Sequence, residues 1–192
     1  DRWADMLRDD LLPWLLQSGD LGDDVLEIGP GLGPLTGRLV EMGADILAVE
    51  IDARLVEILR ERFSAVENLE LRCGDGMRLV KEREDWSDWK LVANLPFSVA
   101  SALLVEAALK PGCFKKMVVT LQWEVVNRIA ASAGTPDYGL LTLLLQLRYK
   151  VLQRFKIRSG SFFPPPEVDS GVITLERREE ELLPLELHPL FV

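Results

Sequence analysis

The chain has 192 residues, 48% of them hydrophobic, with 22 Lys and Arg against 31 Asp and Glu and a formal net charge of −9. That length suits one domain with a sizeable core, and the acidic balance argues against a surface built as a whole to bind nucleic acid, whose affinity rests on Lys and Arg at phosphates. With one histidine, His188, and two cysteines, Cys73 and Cys113, the composition also argues against a Ser/His or Cys/His nucleophile, a histidine-rich metal site and a disulfide framework.

The two thiols read as buried side chains in a reducing cytoplasm. Leu140 to Leu147 comes nearest to a bilayer span, but it is too short and has Arg148 at its end. No signal peptide is visible at the start, Asp1-Arg2-Trp3. The expectation is a cytoplasmic monomer with no metal and no membrane partner.

Trp3 to Gln17 carries Trp3, Met6, Leu7, Leu11, Trp14 and Leu15 at helical spacing, interrupted by Pro13. Val25 to Ile28 reads as a short buried strand. It runs into Gly29-Pro30-Gly31-Leu32-Gly33, and Pro34 then opens a helix with Leu35, Leu39, Val40 and Met42 on its apolar side. Ile46 to Val49 is a second strand ending at Glu50-Ile51-Asp52, and Leu55, Ile58, Leu59 and Phe63 mark a second helix. Leu69 to Arg72 is a third strand, followed by Gly74-Asp75-Gly76. A charged stretch, Arg78 to Asp88, leads to the strand Lys90 to Ala93 and to Asn94-Leu95-Pro96-Phe97.

Val99 to Leu109 reads as a helix, Met117 to Leu121 as a strand and Glu124 to Ala131 as a helix. Gly139 to Leu147 is apolar on nearly every side and is buried whatever its class. Tyr149 to Ile157 and Ser170 to Leu175 read as two more strands joined by Ser159 to Asp169. Strands alternating with helices predict a Rossmann-like α/β fold. Its sheet would have seven strands, mostly parallel, with helices on both faces and a final antiparallel hairpin.

Glycines after a buried strand and before a helix let a backbone approach a nucleotide. Glu50 follows Gly31 by nineteen residues and can accept from both ribose hydroxyls. Pro34 stands where a dinucleotide-binding loop needs its third glycine, which disfavours NAD. Glu27 adds negative charge where a pyrophosphate would lie. S-adenosylmethionine has no phosphate and carries a sulfonium and an ammonium group, so an acidic approach suits it. Asp75 can accept from an adenine amino group while Gly76 permits close approach; Asp75 also fits a plain Gly-Asp-Gly turn.

Asn94 offers an amide oxygen. Pro96 biases Leu95 toward an extended conformation that frees its carbonyl, and Phe97 offers a flat apolar face. Two acceptors and a stacking plate are what holds the amino group of a flat base. A strand followed by an Asn-Pro turn with a core Phe is the alternative. Between Asp137 and Glu167 no acid occurs, while Arg148, Lys150, Arg154, Lys156 and Arg158 all have even numbers and would share one face of an extended strand, an RNA-binding face on an acidic protein. A solvated strand face is the bland alternative.

Val25 to Thr36 (VLEIGPGLGPLT), Ala48 to Asp52 (AVEID), Gly74-Asp75, Asn94 to Phe97 (NLPF), Gln122 to Gly139 with QxEVxxR and DYG, and Phe162 to Ser170 (FFPPPEVDS) together resemble, in order, the S-adenosylmethionine-dependent rRNA adenine N6,N6-dimethyltransferases of the small ribosomal subunit. The resemblance runs from about residue 24 to 176. It implies S-adenosylmethionine contacts from Glu27, Gly29, Gly31, Glu50, Ile51, Asp75, Gly76 and Asn94. It further implies target-base contacts from Asn94, the Leu95 carbonyl, Phe97 and Phe162, and rRNA of a small-subunit precursor as partner. The implied methyltransferase domain is 1–177, with 178–192 a linker or the start of a helical C-terminal domain. The chain departs from the family pattern in lacking a Gln-Asn-Phe-Leu segment in Asp1 to Gln17, in Trp123 and Glu167 where lysine is common, and in Ser98 where Asn is usual. A non-catalytic RNA-binding, assembly or transcription factor of the same fold, and a methyltransferase acting on 23S rRNA, DNA or a small molecule, are the competing readings.

Overall fold

A computed structural model describes residues 24–161, 166–180 and 182–183, with the backbone alone for Phe97 and Ser161. The amphipathic stretch Trp3 to Gln17, His188 and Phe162 lie outside the described residues.

Seven strands form one sheet in the order β3-β2-β1-β4-β5-β7-β6. They are β1 (Asp24–Ile28), β2 (Asp45–Glu50), β3 (Leu69–Cys73), β4 (Lys90–Asn94), β5 (Lys116–Gln122), β6 (Tyr149–Ile157) and β7 (Ser170–Arg177). The first five are parallel; β7 runs antiparallel to β5 and to β6. The class is the expected one, and the hairpin ends the sheet at β6. The helices are α1 (Pro34–Glu41), α2 (Ala53–Arg62), α3 (Gly76–Glu82), α4 (Phe97–Leu109), α5 (Trp123–Ile129) and α6 (Leu140–Arg148).

The central strands are buried on both faces, as parallel strands under crossover helices must be. Leu26, Ile28, Leu47, Val49, Leu91 and Ala93 point to one face and pack with Val80 of α3, Leu103 and Leu104 of α4, Val126 of α5 and Leu145 of α6. Val25, Ile46, Ala48 and Val92 point to the other, against Leu35 and Leu39 of α1. A β-carbon on Gly33 would lie 2.7 Å from Leu59 and 2.8 Å from Phe63, so α2 packs against the turn that starts α1 only because position 33 is glycine.

Four local expectations change. The charged stretch after Asp75 contains a helix, α3, whose single buried interior residue, Val80, is too little periodicity to read. In α2 the buried residues are Val56 and Leu59, while Ile58 is 47% exposed. Cys73 is exposed at the end of an edge strand; Cys113 is buried. The fourth concerns the basic strand. Arg148 is not on it: it ends α6, is buried, and its Nη2 donates to Pro111 O at 3.1 Å and to Cys113 Sγ. Within β6 the pairing jumps from Val151↔Leu175 to Gln153↔Thr174, leaving Leu152 as an unpaired extra residue. Such a bulge reverses the alternation of side chains. Lys150 therefore shares a face with Gln153 and Phe155, while Arg154 and Lys156 share the opposite face with Val151.

Candidate functional site

In the sheet order, β2 and β3 extend to one side of β1 while β4 and β5 extend to the other. The switch between β1 and β4 opens a crevice at the carboxyl ends of the strands, where open α/β sheets receive ligands. The turns after β1, β2, β3 and β4 all end at that edge, because Ile28 is level with Val49 and Ala93, and Glu50 with Cys73.

The turn after β1 is fixed from below. The Gly29 amide donates to Val49 O at 2.9 Å, and the Gly33 amide to Pro30 O at 2.9 Å. Gly29 and Gly31 have φ of 69° and 61°, and a β-carbon on either would meet nothing within 4 Å. Left-handed backbone facing open space is what a ligand-contacting glycine needs, and it contrasts with Gly33, whose glycine is demanded by packing. The Glu50 carboxylate, 7% exposed, lies across the same turn: Oε2 accepts from the Gly31 amide at 3.1 Å and Oε1 from the Asp52 amide at 3.0 Å. Each oxygen keeps a further lone pair. Ile51, the next residue, is 73% exposed, and Leu32, the residue after Gly31, is 60% exposed.

Glu27 is 1% exposed at the floor of this turn. Burial pushes its carboxyl from 4.5 up to about 7; Thr36 beside it opposes the rise and the Glu50 charge adds to it. Its Oε2 and the Thr36 hydroxyl, both inaccessible, have no hydrogen-bond partner among the described residues. The negative charge expected there is therefore disfavoured by burial. Thr36 was not singled out in the sequence. Its signal was a hydroxyl residue on the buried stripe of a helix, between Leu35 and Leu39.

Asp75 caps α3: Oδ1 accepts from the Met77 amide at 2.8 Å and the Arg78 amide at 3.4 Å. The turn reading of Asp75 is the one observed, and it occupies one oxygen only. Gly76 has a packing cause of its own. A β-carbon there would sit 2.6 Å from Ile28 Cγ2. Glycine at 76 lets α3 press on β1.

Asn94 closes β4 opposite Thr120 and is exposed, whereas Leu95 is 2% exposed. Burying the Leu95 side chain turns its neighbours outward. Pro96 (φ −57°, ψ 132°) starts the turn into α4, and Val99 and Ala100 donate to Pro96 O. The Leu95 carbonyl accepts no backbone hydrogen bond among the described residues. Phe97 is the first residue of α4. Asn94 thus stands next to the switch point, on the side of it away from Glu50 and Asp75.

Of the basic residues, Arg154 Nη1 donates to Asn127 Oδ1 at 2.9 Å and its guanidinium carbon lies 5.9 Å from the centre of the Trp123 ring. Lys156 pairs with Asp169 at 2.7 Å, and the Ser159 amide also donates to Asp169 at 3.0 Å. The Lys156 bond first, then the Ser159 amide, hold Asp169's carboxyl below the usual range, and the Arg158 charge adds a lesser pull. Arg154 and Lys156 are exposed on the half of β6 nearest the Asn94 edge and Arg158 just past its end; Lys150 is exposed at the other end.

Among the described residues no helix is long and apolar enough to cross a membrane, and no cluster of His, Cys, Asp or Glu could hold a metal ion.

The family model described as ribosomal RNA adenine dimethylase matches residues 19–191. A protein of Geobacter metallireducens named "Ribosomal RNA small subunit methyltransferase A" is 40% identical over 156 residues, 79% of this chain and 57% of that protein. Its namesake in Geobacter sulfurreducens is 39% identical over 162 residues, 82% and 59% of the two. The chain spans less than two thirds of the length of these relatives. A dimethyladenosine transferase from Plasmodium falciparum superposes with a TM-score of 0.76 at 30% identity, over 89% of this chain and 62% of that one. The 23S rRNA methyltransferase ErmE gives 0.78 at 26%, over 95% and 75%.

Proposed function

The chain belongs to the ribosomal RNA adenine dimethylase family, and we propose that it transfers methyl groups from S-adenosylmethionine to the N6 amino nitrogen of adenines in ribosomal RNA. The substrate we assign is a pair of adjacent adenosines in 16S rRNA of a small-subunit precursor, and the chain acts as a cytoplasmic monomer. The supporting observation is a pair of acceptors, Asn94 and the Leu95 carbonyl, standing across the switch point from the Glu50–Gly31 clasp.

The residues fit the cofactor. Gly29 and Gly31 leave space open above them. Glu50 keeps lone pairs for two ribose hydroxyls, Ile51 offers an apolar face for the adenine ring, and Asp75 keeps one oxygen for its amino group. The orphaned Oε2 of Glu27 lies below the turn and favours a cationic ligand. S-adenosylmethionine, when bound, supplies a methyl group on a sulfonium sulfur.

The amino nitrogen of adenine is a poor nucleophile because its lone pair is delocalised into the ring. Asn94 Oδ1 and the Leu95 carbonyl accept its two N–H groups and favour a tetrahedral nitrogen with its lone pair turned toward the methyl group. Positive charge grows on that nitrogen during attack, and fixed acceptors stabilise it without reorganising. The Phe97 ring, at the start of α4, is assigned to stacking on the base, which must leave its helix stack or come from a loop; base–aromatic stacking is worth about 1–3 kcal/mol. Phe162 takes the second stacking role by resemblance alone. Arg154, Lys156 and Arg158 contact the RNA backbone near the site, and Lys150 further from it. Arg148, buried against Pro111 and Cys113, contributes charge rather than a surface contact.

The test is methyl transfer from labelled S-adenosylmethionine to unmethylated small-subunit particles, followed by nucleoside analysis. N6,N6-dimethyladenosine is expected. Label confined to large-subunit RNA would replace the substrate, and no labelled nucleoside from either subunit would remove the activity from this chain.

A further inference from the structure

Trp123 is the first residue of α5 and stands where β5 leaves the sheet at the Asn94 edge. Asn94 is paired with Thr120 on the neighbouring strand, and Trp123 lies three residues beyond Thr120, roughly 10 Å at the usual rise. Its backbone amide donates to Asp169 O at 2.9 Å. Its side chain leans over β7: a β-carbon on Gly171 would lie 2.5 Å from Cε3 and 3.1 Å from Cζ3 of the indole. Glycine inside a strand weakens it and marks a close approach, and what approaches here is a tryptophan ring seated on the sheet. Cross-strand neighbours share a face. Gly171 is paired with Lys156 and Ile173 with Arg154, and Ile173 packs with Val126 of α5. Trp123, Arg154 and Lys156 therefore stand together on the face that carries α5.

Packing accounts for part of this arrangement, since the indole also rests against the core. It does not account for the loose cover of the ring. Arg83 lies 4.4 Å from the centres of both Trp86 and Trp89, a closed stack around a fully buried Trp86. The Arg154 guanidinium carbon is 5.9 Å from the Trp123 centre, near the outer limit of such a contact. Asn127 holds it there, accepting from Nη1 at 2.9 Å with a neutral amide oxygen. Trp123 is half-buried and Arg154 is exposed. Of the acids beside the ring, Asp169 pairs with Lys156 at 2.7 Å and Glu124 with Arg128 at 3.7 Å. A partly open indole with a tethered guanidinium beside it is the combination that holds an unstacked base and its phosphate.

We propose that Trp123 and Arg154 hold the nucleotide next to the reacting adenosine, the indole stacking on its base and the guanidinium meeting its phosphate. This rests on the ribosomal RNA reading above, in which the substrate is a pair of adjacent adenosines. While one base occupies Asn94 and the Leu95 carbonyl, its neighbour is held at the end of β5. Trp123 stands where lysine is common in the family, so this chain exchanges a point charge for a stacking surface. The pair acts on RNA binding and register, not on the methyl-transfer step.

The experiment follows methylation of unmethylated small-subunit particles over a range of RNA and salt concentrations, with cofactor affinity and melting temperature recorded. The proteins are wild type, Trp123→Leu, Trp123→Phe and Arg154→Gln. Trp123→Leu fills the space over Gly171 without a ring face. Its KM for RNA should rise about five- to 150-fold, the range covered by one base stacked on an aromatic ring, with kcat and cofactor affinity unchanged. Trp123→Phe should recover most of that loss. Arg154→Gln should make the slope of log kcat/KM against log salt shallower by about 0.7, the contribution of one single-strand phosphate, while Trp123→Leu leaves the slope alone. An unchanged KM in Trp123→Leu overturns the stacking platform, and an unchanged slope in Arg154→Gln overturns the phosphate contact. A phenylalanine variant as weak as the leucine one also overturns the platform, since the fit of the indole over Gly171 would then be the cause. So does a loss that follows a fall in kcat or melting temperature. Wild type that methylates no ribosomal RNA overturns the underlying reading as well.

Discussion

Glu50 Oε2 accepts a hydrogen bond from the Gly31 amide at 3.1 Å, across nineteen residues of sequence. The end of β2 is thereby clasped to the turn after β1, and the carboxylate that faces the ligand crevice also shapes the glycine turn beside it. Replacing Glu50 with Ala removes this bond and the one from Asp52. Charge-assisted bonds of this kind are worth about 1.5–3 kcal/mol, so S-adenosylmethionine binding should weaken about ten- to hundredfold by calorimetry. An affinity within twofold of wild type would detach Glu50 from the cofactor site.

Asn94 is exposed at the end of β4 and its side chain has no structural bond among the described residues. Asn94→Ala should leave melting within about 2 °C of wild type, as an exposed substitution does. Losing one acceptor at the reacting nitrogen should cost about 10²–10³ in kcat. Single-turnover methylation measures this directly. Turnover at the wild-type rate would rule out the proposed acceptor pair.

The buried Glu27 makes stability pH-dependent in a stated direction. Its folded pKa, about 7, lies above the unfolded 4.5. The folded state therefore holds a proton that the unfolded state releases between those values, and stability falls as pH rises through that window. Below pH 4.5 both forms are protonated and nothing is lost; above 7 the loss is complete, about 3 kcal/mol from a shift of this size. Glu27→Gln should gain on wild type progressively from pH 5 to pH 7 in urea unfolding and then hold a constant lead. Parallel curves across that range would mean that Glu27 stays charged in the fold.

Gly76→Ala should destabilise the fold by packing. The added carbon would fall 2.6 Å from Ile28, and overpacking of this kind costs about 1–3 kcal/mol, or about 3–10 °C in a domain of this size. In an Ile28→Ala background the same substitution should cost less, because the three nearest atoms, Cγ2, Cγ1 and Cδ1 of Ile28, are then absent. If Gly76→Ala costs the same in both backgrounds, α3 and β1 are not in the contact described.

The strands, their alternation with helices and the positions of Gly29, Glu50, Asp75 and Asn94 were legible in the sequence because they depend on local properties. Apolar runs bounded by glycine, proline and charge fix where strands end, and in a parallel sheet strand ends are where ligands bind. Interior choices required the tertiary structure. Glycine at 76 cannot be told from a ligand-facing glycine until Ile28 is seen beneath it, and at 33 it answers to Leu59 and Phe63. Val56 and Ile58 are both compatible with a helix; the packing of α2 on β2 and β3 selects Val56. The basic strand is the plainest case. Even numbering implied one cationic face, but pairing with β7 extrudes Leu152 and reverses the alternation, and Arg148 ends α6 inside the molecule. Residue types and spacing determined what chemistry this chain carries. Register and packing, which couple residues far apart in sequence, decided which side chains are free to perform it.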